Sequence, residues 1–105
     1  MDDVIKTLEG LKGDDNPDDF YEALGPLELL VSDYGEYLKS RPVDCEEELK
    51  RLPNAGFRLS CAMMTMLLRE DYFSGGMFAV RAKAGMVDAV LDRMIVSYTE
   101  KHKKD

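Results

Sequence analysis

The chain is short of the residue types on which most side-chain catalysis depends: one histidine and two cysteines in 105 residues. Each shortage removes a class of function. The single histidine, His102, lies among lysines near the C-terminus, where a helix end cannot hold a base within hydrogen-bond reach of a nucleophile. A Cys-His or Ser-His pair is therefore not expected. One histidine and two widely separated cysteines, Cys45 and Cys61, cannot close a zinc site, and the carboxylates of "GDDNPDD" lack the spacing and terminal glutamate of a calcium loop. No metal and no cofactor are predicted.

Long apolar runs are missing too. The longest, "CAMMTMLL" at 61–68, falls well short of the roughly 20 residues needed to span a bilayer, so no membrane partner is expected. The opening "MDDVIKT" resembles neither a signal peptide nor a transit peptide, and the two cysteines fall in different predicted elements. A reduced, cytoplasmic setting is the expectation. The length suits a single domain over 1–105, able to bury about 60–70% of its unfolded surface without a disulfide or metal staple.

Charge is abundant but unevenly placed. Residues 1–48 carry 15 Asp and Glu against 4 Lys and Arg (−11), residues 49–105 carry 6 against 10 (+4), and the sum is −7. The N-terminal half is thus a poor footprint for nucleic acid and a better match for a basic partner, unless its acids only solvate helix faces.

Helical punctuation runs along the chain. Asp2 or Asp3 caps a first helix with Val4, Ile5, Leu8 and Leu11 on one face, ending near Gly10 and Gly13. A polar turn covers 12–19. Asn16 is a candidate N-cap, Pro17 suits the first helical position, and Asp18 and Asp19 favour the positive end of the helix dipole. Phe20, Ala23, Leu24, Leu27, Leu30, Val31, Tyr34 and Leu38 then recur at helical spacing. Gly25 and Pro26 predict a kink or break, with the second piece reaching about Lys39. Asp44 and Glu47 form a capping-box pattern that opens a short helix through Leu49 and Leu52, stopped by Pro53.

The stretch 54–69 is apolar over most of its circumference, with Arg58, Ala62, Thr65 and Arg69 on one narrow stripe. It is predicted to be the central helix of an all-α bundle of five or six helices. Six of the seven methionines lie from Met63 onward, where they fill a core or line an adaptable groove. Ser74 is the expected cap of a helix carrying Met77, Phe78, Val80 and Ala82. Gly85 ends that helix with a left-handed residue, and a last helix presents Val87, Val90, Leu91, Met94, Ile95 and Tyr98. A basic tail frays over 100–105.

Between the central helix and the next stands "REDYFSGG". The glycines lack a preceding strand and a following Lys-Ser or Lys-Thr, so a phosphate loop is not supported. The better reading is a structural corner. Gly75 and Gly76 allow close approach or a left-handed backbone, Tyr72 and Phe73 anchor in the core, and Arg69 and Asp71 fasten the turn by charge-assisted bonds.

The second half resembles a family of small uncharacterised prokaryotic proteins classed as a domain of unknown function. The likeness spans about 32–95 and rests on "SDYGEYL", "LLRED", "YFSGG" and "AGMVDAVLDRM". Tyr34 and Tyr37 stand where that family has tryptophans, and Tyr72 and Gly75 stand where it has charged residues. The resemblance implies an all-helical fold and brings no activity with it.

Three functions are compatible with these features. The leading one is a small acidic, non-catalytic interaction or regulatory protein that binds another protein, through Asp14, Asp15, Asp18, Asp19 and Glu22 or through a groove beside the central helix. The alternative is an acidic mimic of nucleic acid that inhibits a basic nucleic-acid-handling protein, of the phage anti-defence type. The third is a carboxylate-based enzyme built on Asp33, Glu36 and Arg69. A homo-oligomer is compatible with any of them, and direct nucleic-acid binding is not expected.

Overall fold

The computed structural model describes residues 3–102, and among them the chain is helical with no strand. The helices are α1 (Asp3–Gly10), α2 (Pro17–Leu24), α3 (Cys45–Leu49), α4 (Phe57–Phe73), α5 (Met77–Lys83) and α6 (Met86–Lys101), with 3-10 turns at Tyr34–Tyr37 and Leu52–Asn54. Nine consecutive residues of α4, Ser60 to Leu68, are buried, which requires neighbours on every side. They are supplied by α6, the longest contact, and by α5, α3 and the Tyr34–Tyr37 turn, while α1 packs on α6. Where α4 faces α6, Ser60 and Ser97 meet with hydroxyl oxygens 3.4 Å apart. Each hydroxyl also donates to a carbonyl of its own helix, Ser60 to Phe57 and Ser97 to Arg93, so no buried polar group is left unmatched there.

The methionines serve the core: Met63, Met64, Met66 and Met94 are buried. Phe20 of α2 and Phe78 of α5 are wholly buried and meet edge to face at 4.8 Å, which ties the N-terminal helices to the rest. At the start of α2 the Asn16 side chain accepts from the Asp18 N–H with Pro17 at the first helical position, as the sequence predicts. The Asp44 side chain likewise accepts from the Glu47 N–H at the start of α3. Asp2 lies outside the described residues.

Four expectations need correction. The helical piece predicted to reach Lys39 does not form: α2 ends at Leu24, Glu28 turns the chain at φ 59°, and the path continues through 29–33 without helix. Its apolar residues still face inward, because Val31 N–H donates to the buried Thr65 hydroxyl at 2.9 Å, which holds this segment on α4. This tertiary hydrogen bond satisfies an amide that has no helical partner once α2 has ended at Leu24. Second, α4 runs over Phe57–Phe73 rather than 54–69, since nothing in "REDYF" stops a helix before Gly75. Third, Val80 of α5 is 55% exposed, on the face of a short helix that no other element covers. Fourth, α6 continues to Lys101, so Glu100 and Lys101 are helical rather than frayed, and 103–105 lie outside the described residues.

A buried carboxylate secures the link into α3. Glu48 is 2% exposed and accepts from the Lys39 N–H, the Ser40 N–H and the Ser40 hydroxyl, while Arg51 bridges it at 2.8 Å and also donates to Tyr37 O. Burial alone would raise its pKa; the hydrogen bonds from Ser40, Arg51 and Lys39 overcome that and hold it at about 2.

Two tests follow from this packing. Leu68→Ala is expected to lower stability by about 2–5 kcal/mol in chemical denaturation, as for other buried leucines. Glu48→Gln is expected to cost about 1–3 kcal/mol at neutral pH. Because the Glu48 pKa is depressed in the folded state, its contribution is present above the ordinary carboxylate range and is lost as pH falls toward about 2. The variant's stability should accordingly fall less steeply with acid than the parent's, and parallel pH profiles would refute the assignment.

Candidate functional site

The corner after α4 is fastened by one side chain. Asp71 Oδ1 accepts from the Gly76 N–H at 3.0 Å and the Phe78 N–H at 2.9 Å, so a residue inside α4 satisfies amides at the start of α5. The cap role predicted for Ser74 belongs instead to Asp71, and Ser74 closes the end of α4. Gly76 adopts φ 93°, the left-handed region that reverses the chain. Close approach is not the reason for either glycine: a Cβ at Gly75 or Gly76 would meet nothing within 4 Å.

Tyr72 and Phe73 are not core anchors. They are 72% and 73% exposed, because α4 outruns the elements that cover it by more than one turn past Leu68. The two rings meet perpendicular at 5.1 Å, and the Arg69 guanidinium lies 5.1 Å from the Tyr72 ring centre and 5.8 Å from that of Phe73. Such cation–π contacts contribute about 0.5–1 kcal/mol at exposed sites, enough to bias all three side chains toward one arrangement.

Clefts flank this group. One of about 340 Å³ is lined by Tyr21, Leu30, Val31, Ser32, Tyr34, Thr65 and Arg69. A smaller one of about 170 Å³ is lined by Tyr34, Val43, Cys45, Met66, Arg69, Glu70 and Phe73. Tyr34 and Arg69 border both. Burial pushes the Tyr21 hydroxyl up, against the opposing influence of the Arg69 charge, so it stays protonated at neutral pH. Beside the smaller cleft, Glu70 and Arg81 form a two-point fork at 2.9 and 2.8 Å, which holds the Glu70 pKa down. Cys45 and Cys61 are free and buried, and burial raises each thiol to about 12, so neither supplies a thiolate nucleophile.

The other predicted site residues divide between two places. Asp33 and Glu36 line a separate open cleft with Arg41, which Arg69 does not border. Asp14 and Asp19 come within hydrogen-bond reach across the α1–α2 turn, which raises the Asp19 pKa, and the charges of Glu22 and Asp18 add to the effect. Asp15, Asp18, Asp19 and Glu22 are exposed. This turn is fixed to α6 by Lys12 on Asp92 at 2.7 Å and by the Gly13 N–H on Asp88 at 3.0 Å. His102 lies against the Tyr98 ring at the end of α6. Among the described residues no group of three or more His, Cys, Asp or Glu side chains is placed to hold a metal ion.

Sequence reading named Arg69, Tyr72 and Phe73 as parts of a structural corner, with Arg69 also in the carboxylate-based alternative, and it passed over Tyr21. The available signal was the charged context of "REDYFS", which suits a solvated face better than a core. Comparison with known proteins finds no match to this chain, whether among family models, curated sequences or solved structures. The likeness to a domain of unknown function therefore rests on the residue pattern alone.

Gly76→Ala is expected to cost about 1–2 kcal/mol, since a side chain is strained at φ 93° although space is open. Gly75→Ala should stay within about 0.5 kcal/mol. Thermal denaturation of both variants checks the contrast; equal losses would return the corner to a packing role.

Proposed function

We propose that this chain is a small acidic, non-catalytic protein that acts by docking on another protein through the face formed by Arg69, Tyr72 and Phe73. The observation that carries the reading is the pairing of two large, neighbouring aromatic rings, each more than 70% exposed, with an arginine laid against them. Tyrosine and arginine are enriched among residues that dominate interface energetics, and side chains already ordered in the free protein lose less entropy on binding. Burying the two rings in the fold would have been favourable. Leaving them outside makes sense when another surface covers them.

The acidic residues Asp14, Asp15, Asp18, Asp19 and Glu22 supply the second component, an edge of negative potential that steers a partner with a basic surface. Asp18 and Glu22 share one helical strip of α2, one turn apart. The close contact of Asp14 with Asp19 supports steering better than imitation of nucleic acid, because two acids within hydrogen-bond reach of each other differ from a row of separate phosphate charges.

The experiment is to isolate a partner by pull-down from the native host and to measure its affinity for the parent and for Tyr72→Ser with Phe73→Ser. The double variant should keep its stability within about 1 kcal/mol while partner affinity falls by about tenfold or more. Unchanged affinity would rule this face out. In the same assay, replacing Asp14, Asp15, Asp18 and Asp19 by Asn or Ser should slow association and flatten its salt dependence, with screening over about 8 Å at physiological ionic strength. Equal on-rates at low and high salt would reduce those carboxylates to a solvated face.

A further inference from the structure

We infer that the cleft on the α2 side of Arg69 receives a carboxylate side chain of the partner, a glutamate or aspartate next to an apolar residue. The inference rests on the docking function proposed above and specifies what the face reads.

Arg69 reaches the Tyr21 hydroxyl across the cleft by a side-chain hydrogen bond and is not held by a carboxylate of the chain among the described residues. Among the described residues, Arg51, Arg81 and Arg93 are ion-paired with Glu48, Glu70 and Glu100. Arg41 donates to the carbonyls of Ser40 and Gly35, and Arg58 is hydrogen-bonded to Tyr37. Like Arg41 and Arg58, Arg69 makes no ion pair among the described residues, although the chain carries 21 acidic residues against 14 Lys and Arg. The acids adjacent to it in sequence are committed elsewhere, Glu70 to Arg81 and Asp71 to two backbone amides.

The surroundings of the guanidinium suit an anion. Tyr72 and Phe73 lie against it and displace water from part of its surface, and weak hydration favours a planar two-point bond with a carboxylate. The protonated Tyr21 hydroxyl and those of Tyr34 and Ser32 line the same cleft and offer further donors. Leu30 provides an apolar wall. The cleft's volume, about 340 Å³, falls within the range of small ligand sites.

A carboxylate fits better than a phosphate. Arg69 lies in the last turns of α4, whose C-terminal end carries partial negative charge, and Asp71 stands nearby. That field opposes a dianion more strongly than a monoanion. No second cation lines the cleft to offset it.

The test uses the full chain, ¹⁵N-labelled, titrated with the peptide Ac-Leu-Glu-Phe-NH₂ and with its Gln counterpart, with amide chemical shifts as the readout. The Glu peptide should shift residues around Tyr21, Tyr34 and Arg69 and bind about fivefold more tightly than the Gln peptide, the usual margin of a charged over a neutral acceptor. Arg69→Gln should bring the two peptides to equal affinity while the remaining spectrum shows an unchanged fold. Arg69→Lys, which keeps the charge but loses the planar fork, should give an intermediate preference. Equal binding by the parent, a preference that survives Arg69→Gln, no binding at all, or equal displacement by inorganic phosphate would each overturn the inference. Failure of the docking function itself would look different: the isolated partner would then ignore the loss of Tyr72 and Phe73.

Discussion

An apolar surface around nearly the full circumference of α4 imposes the arrangement of everything else. A helix with one apolar face can lie on a surface, but one buried at nine successive positions must be enclosed, and enclosure needs elements approaching from several directions. Helix α6 is long enough to cover one side by itself. The remaining sides are closed by short pieces: α3, α5, the Tyr34–Tyr37 turn and the segment after α2. Short elements cannot rely on their own helical cooperativity, so side-chain hydrogen bonds hold them in place. Thr65 holds Val31, Glu48 holds Lys39 and Ser40, Arg93 holds the Ala55 carbonyl at 2.7 Å, and Asp71 holds the start of α5. In this chain packing selects the architecture and a few polar clamps fix the connections.

The proposed docking face is a by-product of the same constraint. Once the enclosing elements have met α4 at Leu68, the helix still has more than a turn to run, and that excess carries Arg69, Tyr72 and Phe73 into solvent. The α2 side of Arg69 is bounded by the extended path of 29–33, which exists because Pro26 and the turn at Glu28 prevent α2 from continuing. Both walls of the larger cleft thus originate in places where a regular helix stops or outlives its cover. Polar groups gather there for that reason, since residues at such positions are not required to be apolar.

Much of the fold could be read from the residues. The N-caps at Asn16 and Asp44, the left-handed Gly85 and the apolar periods of α4 and α6 are local features, and local physics decided them. The region 29–39 was illegible for a definite reason. Its apolar spacing fits a helix, and what overrides it is a hydrogen bond to Thr65, 34 positions away. The end of α4 misled in the opposite direction: an aromatic pair beside two glycines has the composition of a buried corner, and only the reach of the neighbouring elements leaves it exposed. Asp14 and Asp19 were recognisable as acids, but their contact across the turn depends on how Asn16 and Pro17 start α2.

The overhang of α4 also separates two demands that proteins commonly have to reconcile at a binding site. Arg69, Tyr72 and Phe73 are exposed and contribute little to the core, whereas the clamp that fixes the start of α5 uses Asp71 and two backbone amides and no side chain at 69, 72 or 73. Substitution at those three positions is therefore nearly free of folding consequences. The end of the helix can be rewritten without rebuilding the bundle beneath it.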